Sequence, residues 1–285
     1  MIVADWLKKA VDHLNARKVP EAEANAEFLL AHVLKTGRVE ARAQGARALP
    51  EKQGMNYWNL VMERGRRIPL AYVLGSQPFC GLDIEVTPQA LVPRPETEEL
   101  VEDCVRRLMP RAAEDLHLLE IGTGTGCVAI ALASRLPNAV VYATEISQTA
   151  LKLAEKNAMR HHVARRIRFI QEDLFKAGAA PKRWADLVVS NPPYIPTAEI
   201  RKLEPEVLRE PFLALDGGKD GLDAVRAIVA SAPRFLKPGG FLVMEIGSDQ
   251  AAAVLKLLLQ SGFAEASVKK DLQGLDRIAA AKMVE

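Results

Sequence analysis

Leu118-Leu119-Glu120-Ile121-Gly122-Thr123-Gly124-Thr125-Gly126 is the stretch that decides the fold of this chain. Its first four residues are mostly apolar, as in a buried parallel strand. The glycines that follow let the backbone turn tightly and lie close to a ligand. A helical pattern begins at Cys127, and the free N–H groups at the start of a helix attract anions. The stretch therefore predicts a strand, a loop and a helix that bind a nucleotide-type cofactor.

Two acids that follow later strands extend this prediction. Glu145 comes about 20 residues after the glycines, where an acid accepts hydrogen bonds from ribose hydroxyls. Asp173 follows the next strand, where it can accept from an adenine amino group while Leu174 packs on the ring. Taken alone, a solvated strand-end carboxylate explains Glu145, and a turn former explains Asp173. Cys127 stands where a dinucleotide-binding turn has its third Gly or Ala, which disfavours an NAD site.

Strands and helices alternate along the rest of the chain. The predicted strands are the apolar runs 116–121, 139–145, 167–171, 185–190 and 240–246. The predicted helices are 127–136, 147–160, 221–236 and 249–261. This alternation predicts an α/β fold with a mostly parallel sheet and helices on both faces. Two final strand-like runs, near 263–270 and 275–283, have no helix between them, so the last strand is predicted to be antiparallel.

The amino-terminal part has a different pattern. Its sequence is Ala-rich with apolar residues at helical spacing, which predicts a small helical bundle over residues 1–72. Residues 73–95 are rich in Pro and Gly and include the alternating run 82–86, which predicts a linker with a β-hairpin. The α/β domain is then expected to occupy residues 96–285.

Asn191-Pro192-Pro193-Tyr194 follows the apolar run 185–190. Two prolines cannot donate ladder hydrogen bonds, so the strand must end there. An Asn side-chain oxygen and a backbone carbonyl are both acceptors, and together they can hold the two hydrogens of a planar NH2 group. The tetrapeptide therefore predicts chemistry at an amide or nucleobase nitrogen, although a strand-ending turn explains it equally well when it is considered alone.

Composition narrows the class of protein. The net charge of +2 is too small to require a nucleic-acid or membrane partner. Cys80, Cys104 and Cys127 are widely spaced, and neither a zinc site nor a disulfide framework is indicated, so no metal is expected. No run approaches 18 consecutive apolar residues, and the start of the chain lacks the apolar core of a signal peptide. A cytoplasmic location is the expectation.

These motifs resemble those of class I S-adenosylmethionine-dependent methyltransferases, and the Asn-Pro-Pro-Tyr form resembles the subset that methylates glutamine amides, adenine N6 or guanine N2. Further stretches resemble the release-factor glutamine methyltransferases of the PrmC/HemK type. These stretches are Leu91-Val92-Pro93-Arg94-Pro95-Glu96-Thr97-Glu98, Phe79-x-Gly81-Leu82, Pro211-Phe212-x-Ala214-Leu215 with Gly217-Gly218, and Asp271-Leu272-x-Gly274-x-Asp276-Arg277. Cys80 departs from the family, which has an aromatic residue there, and Leu174 departs from those relatives that are aromatic at its position.

The resemblance implies a Rossmann-like methyltransferase fold, with S-adenosylmethionine as the cofactor. It implies methylation of the glutamine N5 in the Gly-Gly-Gln motif of class I peptide chain release factors, which would dock on the domain at residues 1–72. The implied cofactor-binding residues are Glu120, Gly122, Thr123, Gly124, Thr125, Gly126, Glu145, Asp173, Leu174 and Asn191. The implied catalytic residues are Asn191, Pro192 and Tyr194, and the implied substrate-binding residues are these three with Pro93, Arg94 and Pro193.

A nucleic-acid amino-methyltransferase is the alternative, because adenine and guanine amino groups suit the same Asn-Pro-Pro-Tyr pocket. Such an enzyme flips or captures a base and usually has a basic, aromatic-rich surface. Here aromatic residues are only 5% of the chain and the net charge is near zero, which favours a protein substrate. A cofactor-binding scaffold without catalysis would have no need of Asn191 and Tyr194.

Overall fold

The computed structural model describes residues 1–173 and 183–284. The chain divides into two compact units. The first contains Met1–Ser76 and the short segment Glu204–Arg209, and the second contains Gln77–Leu203 and Glu210–Glu285. Within the described residues, no helix is both long and apolar enough to cross a membrane.

The first unit is a bundle of short helices. They are α1 (Val3–Ala16), α2 (Ala22–Leu34), α3 (Arg38–Ala43), α4 (Glu51–Arg64) and α5 (Leu70–Leu74). The helices enclose a hydrophobic core that includes Trp6 and Leu30. Glu206 accepts hydrogen bonds from Arg64 (2.8 Å) and Arg67 (2.7 Å), and these contacts hold the segment Glu204–Arg209 in this unit.

A two-stranded hairpin follows the bundle in the sequence, formed by β1 (Ser76–Phe79) and β2 (Leu82–Glu85). Cys80 and Gly81 form its two-residue turn, with φ of 49° and 77°. Positive φ at both central residues is the geometry that matches the twist of a hairpin. The Cys80 backbone N–H donates to Glu98 Oε1 (2.9 Å), so the non-glycine residue in this turn is held by a neighbouring carboxylate.

A seven-stranded sheet forms the centre of the second unit. Its strands are β3 (His117–Ile121), β4 (Val140–Glu145), β5 (Ile167–Gln171), β6 (Ala185–Ser190), β7 (Leu236–Glu245), β8 (Phe263–Lys270) and β9 (Asp276–Met283). The strand order is β5-β4-β3-β6-β7-β9-β8. Strands β3 to β7 pair in parallel, and β9 is antiparallel to both β7 and β8. The predicted Rossmann-like α/β fold with an antiparallel last strand is confirmed.

Helices cover both faces of this sheet. The helices of the second unit are α6 (Pro95–Leu108), α7 (Cys127–Arg135), α8 (Gln148–Arg160), α9 (Thr197–Ile200), α10 (Asp223–Ser231) and α11 (Ala251–Gln260). One core contains residues of α6, α7 and α8, and the other contains residues of α10 and α11. All six residues of β6 are buried, as the apolar sequence of a central parallel strand requires. The carboxyl end of β6 is therefore rigidly placed between β3 and β7.

Candidate active site

The carboxyl ends of β3, β4 and β6 line one cleft with a volume of about 520 Å³. The strand order reverses between β3 and β6, and open α/β sheets bind ligands at such a switch point. The other lining residues include the glycine loop, the segments 89–94 and 211–214, and residues that follow β5 or belong to α6, α8 and α10. The cleft is thus built entirely within the second unit and has the size of a small-molecule site.

The glycine loop has a backbone that other residues would strain. Gly122, Gly124 and Gly126 have φ of 72°, 55° and 82°. A Cβ at Gly126 would lie 3.0 Å from the Cβ of Ala154, so this glycine also allows the loop to pack on α8. The Gly122 N–H donates to the Thr144 carbonyl (3.0 Å), which ties the start of the loop to β4. Gly122 and Gly124 line the cleft, whereas Gly126 is not among the described residues that line it.

Glu145 ends β4 and points both carboxylate oxygens at backbone amides. Its Oε2 accepts from the Gly124 N–H (3.0 Å), and its Oε1 accepts from the Ser147 N–H (2.9 Å). A carboxylate oxygen can accept a second hydrogen bond. Glu145 lines the cleft, so it can support the loop and still accept from the hydroxyls of a bound ribose.

Glu120 lies at the base of the loop and is almost fully buried. Burial raises the pKa of Glu120 to about 7, and the nearby Glu145 adds to the rise, while hydrogen bonds from Thr123 and from the Ala129 amide oppose it. Thr123 Oγ1 donates to Glu120 Oε2 at 2.5 Å. The Thr123 hydroxyl is therefore engaged in supporting the loop, although the residue also lines the cleft.

Asn157 of α8 joins the hairpin to the glycine loop, and the sequence did not identify it. Its side chain is fully buried. Its Nδ2 donates to the carbonyls of Glu85 and Thr125 (2.9 Å each), and its Oδ1 accepts from the Glu85 N–H (2.9 Å). One side-chain amide thus pairs with two backbone groups of the hairpin and one of the glycine loop, and it ties both to α8.

Asn191 follows β6 directly and lines the cleft. Its Nδ2 donates to Thr97 Oγ1 (3.0 Å), and Thr97 Oγ1 donates to Glu245 Oε2 (2.7 Å). Thr97 belongs to the first turn of α6, Glu245 is the last residue of β7, and both are buried. Because the NH2 side of Asn191 is used by Thr97, its Oδ1 remains as the acceptor for a ligand.

The three residues after Asn191 have different environments. Pro192 and Pro193 line the cleft, but Tyr194 is not among the described residues that line it. The Tyr194 hydroxyl donates to Glu245 Oε1 (3.2 Å). Burial raises the pKa of Tyr194, and the charge of Glu245 raises it further. Tyr194 thus contacts the same carboxylate that holds Thr97.

Pro93 and Arg94 line the opposite wall. The Arg94 guanidinium pairs with Glu210, and the other oxygen of Glu210 accepts from the Val92 N–H (2.9 Å). Glu210 is buried, so this pairing joins the 91–94 segment to the 210–214 segment. The predicted substrate-binding charge of Arg94 is therefore already paired within the wall.

The rim of the cleft is apolar. Phe212 and Leu213 line it with 53% and 71% of their surfaces exposed. Exposed large apolar side chains beside a functional cleft are typical of a surface that contacts a partner.

Most of the predicted site residues therefore come together in one cleft. Asp173 also lines it, whereas Leu174 lies outside the described residues. Thr97 and Glu245 were missed as parts of the site. Thr97 lies within the 91–98 stretch that resembles the family, and Glu245 lies near the end of the predicted strand 240–246, so the sequence contained a signal for each.

The cleft fits a nucleoside-type cofactor. No atom of the described residues outside the immediate chain neighbours lies within 4 Å of the position that a Cβ would take at Gly122, so on that side the described part of the chain leaves the loop backbone open to a ligand. Glu145 supplies acceptors for two hydroxyl groups, and Ala90, Ile146 and Ala150 give an apolar wall for a base.

Two family models match the sequence. Residues 5–75 match the PrmC N-terminal domain, and residues 104–210 match the methyltransferase small domain.

Similar proteins match over almost the whole chain. The release factor glutamine methyltransferase of Geobacter sulfurreducens is 42% identical over 99% of this chain and 95% of its own length. The protein of the same name from Moorella thermoacetica is 40% identical over 97% of both chains. Among solved structures, a methyltransferase from Pyrococcus furiosus has a TM-score of 0.52 and 20% identity, over 72% of this chain and 90% of that one. This structure is similar in fold.

Proposed function

Because this chain belongs to the release factor glutamine methyltransferase family, we propose that it methylates the glutamine N5 in the Gly-Gly-Gln motif of class I peptide chain release factors. The enzyme is a methyltransferase whose methyl donor is S-adenosylmethionine. Both relatives are named for release-factor glutamine, so methylation of adenine N6 or guanine N2 in nucleic acid is not favoured. Since release factors act in the cytoplasm, the proposal includes a cytoplasmic location.

The observation that carries the proposal is the orientation of Asn191. Its NH2 group is engaged by Thr97, and its Oδ1 is left as an acceptor in the cleft. A primary amide presents two N–H donors in one plane. In the proposed complex, Asn191 Oδ1 accepts one of them and the Pro192 carbonyl accepts the other.

Alignment is the main task of these residues. An amide nitrogen is a weak nucleophile because its lone pair is delocalised into the carbonyl. When bound, S-adenosylmethionine supplies a methyl group activated by a sulfonium. Asn191 and Pro192 hold the glutamine nitrogen so that it faces this methyl group, and near-attack geometry of this kind contributes up to ~7–11 kcal/mol in ideal cases.

The same acceptors stabilise charge. The nitrogen becomes positive as the new N–C bond forms, and oxygen dipoles that already point at it need no rearrangement. Removing one such group from an active site typically costs ~3–4 kcal/mol. The methylated nitrogen then loses its extra proton to water, so the reaction needs no histidine and no other strong base.

Tyr194 and Arg94 have narrower roles in this proposal than the resemblance implies. Tyr194 donates to Glu245 and supports the turn beside Asn191. Arg94 is paired with Glu210 and shapes the wall of the cleft. The exposed Phe212 and Leu213 supply apolar surface for the substrate segment that carries the glutamine.

Intact-mass analysis of a release factor tests the proposal. After incubation with this protein and S-adenosylmethionine, the release factor should gain the mass of one methyl group, and peptide mapping should locate it on the Gly-Gly-Gln glutamine. A release factor with that glutamine changed to alanine is the control and should gain nothing. Methyl transfer to an adenine- or guanine-containing oligonucleotide, with none to the release factor, would overturn the proposal.

The helical unit is proposed to recognise the release factor. A variant that begins near Gly75 should bind cofactor normally, because the cleft is built within the second unit. Its turnover on the full release factor should fall about tenfold or more, which corresponds to ~1.4 kcal/mol of lost binding. A short Gly-Gly-Gln peptide is the control, since both forms should methylate it at similar rates. Unchanged turnover on the full release factor would remove recognition from this unit.

A further inference from the structure

Half-buried Asn191 and two buried side chains form a hydrogen-bonded chain that begins in the wall of the cleft. Asn191 donates to Thr97, and Thr97 donates to Glu245. They come from three separate elements, namely the end of β6, the first turn of α6 and the end of β7. Asn191 and Thr97 both line the cleft, whereas Glu245 is not among the described lining residues, so Glu245 acts there only through its neighbours.

The direction of this chain is fixed by the chemistry of its last member. An ionised carboxylate can only accept hydrogen bonds. The Thr97 hydroxyl has one hydrogen and its oxygen lies 2.7 Å from Glu245 Oε2, so while Glu245 is ionised this hydrogen must point to the carboxylate. Thr97 Oγ1 can then only accept from its other neighbour, and that neighbour must present its NH2 group.

We infer that Glu245, acting through Thr97, is a positioning residue that sets which end of the Asn191 amide, the oxygen or the NH2 group, meets the substrate. Without this constraint an Asn amide can rotate by a half-turn with little change in shape. The rotated amide would present an NH2 group to the NH2 group of the target glutamine, and two donors repel each other. This inference rests on the proposed function, because it matters only for a substrate that brings donors to Asn191.

The surroundings of Glu245 act on its pKa in both directions. Arg277 of β9 and the Tyr194 hydroxyl face it and favour the ionised form, whereas Glu96 of α6 opposes it. Burial is the largest influence and raises the pKa of Glu245. As the pH falls, the carboxyl gains a hydrogen of its own, so Thr97 is no longer obliged to donate to it. The constraint on Asn191 is therefore present at high pH and is lost as the pH falls through the raised pKa of Glu245.

Single-turnover methylation of a release factor at saturating S-adenosylmethionine tests this inference. Thr97→Val keeps the shape of the side chain and removes the hydroxyl, and the rate constant should fall about 10- to 100-fold. Thr97→Ser restores the hydroxyl and should stay within about threefold of the wild type. The affinity for S-adenosylhomocysteine should be unchanged in both variants, since neither changes the glycine loop.

The pH profile separates positioning from packing. The wild-type rate constant, measured between about pH 5 and about pH 9, should fall toward acid pH as Glu245 becomes protonated. Glu245→Gln cannot titrate, so its rate should be lower and should lack this fall. Side-chain amide NMR signals of Asn191 should titrate with the same pKa in the wild type and not in Thr97→Val.

Asp186→Asn is the matched control. Asp186 is also a buried strand carboxylate, but it lies at the amino end of β6, where it pairs with Arg111 and Lys237. This variant should lose stability while it keeps the wild-type single-turnover rate and the acid-side fall.

Three outcomes would overturn the inference. In the first, Thr97→Val and Glu245→Gln both react at the wild-type rate. In the second, Thr97→Ser and Thr97→Val lower the rate constant equally. In the third, the rate of Glu245→Gln falls toward acid pH just as that of the wild type does. If Thr97→Val does not fold, Glu245→Gln decides alone, because it keeps the size of the native side chain. Failure of the wild-type protein to methylate any release factor would instead be a failure of the proposed function.

Discussion

Replacing Asn191 with alanine should abolish most methyl transfer and leave the fold and cofactor binding nearly intact. The backbone at this point is held by β6, since Ser190 pairs with Ile121 on one side and with Met244 on the other. Among the described residues the side chain makes one hydrogen bond, to Thr97 Oγ1 at 3.0 Å. Its loss should lower the free energy of unfolding by ~0.5–1.5 kcal/mol.

The effect on the reaction should be much larger. Alanine removes one of the two acceptors proposed to orient the target amide and to stabilise its developing positive charge. Loss of one such group typically lowers turnover ~10²- to 10³-fold. Asn191→Asp should be impaired as well, because the single Thr97 hydrogen then lies between two carboxylates and can satisfy only one of them.

Single-turnover methylation of a release factor at saturating cofactor measures this loss. Asn138→Ala is the matched control, because Asn138 is an exposed asparagine whose side chain donates to the carbonyls of Ala112 and Ala113. The control should react at the wild-type rate. If Asn191→Ala reacts within about threefold of the wild type, Asn191 only ends a strand, and the proposed alignment is refuted.

Three further predictions concern the cofactor loop. Glu145→Ala should weaken S-adenosylhomocysteine binding by ~1.5–3 kcal/mol through lost charge-assisted hydrogen bonds, and unchanged affinity in calorimetry would remove Glu145 from the ribose role. Gly126→Ala should lower the free energy of unfolding by ~1–3 kcal/mol, because its φ is 82° and its Cβ would press on Ala154. In denaturant titrations Gly262→Ala should lower the free energy of unfolding less, since its φ of 81° is similar but no atom of the described residues lies within 4 Å of the position that a Cβ would take there. Equal losses of stability in the two variants would exclude the packing effect. Burial raises the pKa of Glu120 from 4.5 to about 7, so between these values the folded state holds a proton that the unfolded state has lost, and the free energy of unfolding should fall as the pH rises. Glu120→Gln should lack this fall. Parallel pH profiles of stability for the wild type and the variant would contradict the assignment.

Local sequence patterns predicted those parts of the site that depend only on residues adjacent in the sequence. A strand followed by glycines predicted the loop at 122–126, and two prolines after an apolar run predicted that β6 ends before Asn191. Both inferences use only neighbours in the sequence, because backbone sterics and hydrogen bonding decide them locally. The α/β alternation then predicted the parallel sheet and its antiparallel last strand.

The supporting contacts could not be predicted in this way. Thr97 and Glu245 are 148 residues apart in the sequence, and Asn157 is 72 residues from Glu85. No periodicity or turn signal specifies which polar side chains meet after helices pack on a sheet. Arg94 is a further example, since its proximity to the cleft was predicted but its pairing with Glu210 was not.

Asn157 has a consequence for the entropy of cofactor binding. Its three hydrogen bonds to Glu85 and Thr125 order the glycine loop in the free protein. Fixing the backbone of one residue costs ~1–2 kcal/mol of conformational entropy. In this protein the loop is ordered when the chain folds, so cofactor binding does not have to order it again. S-adenosylmethionine should therefore bind to a loop that is already ordered, and S-adenosylhomocysteine should dissociate without local unfolding of the loop.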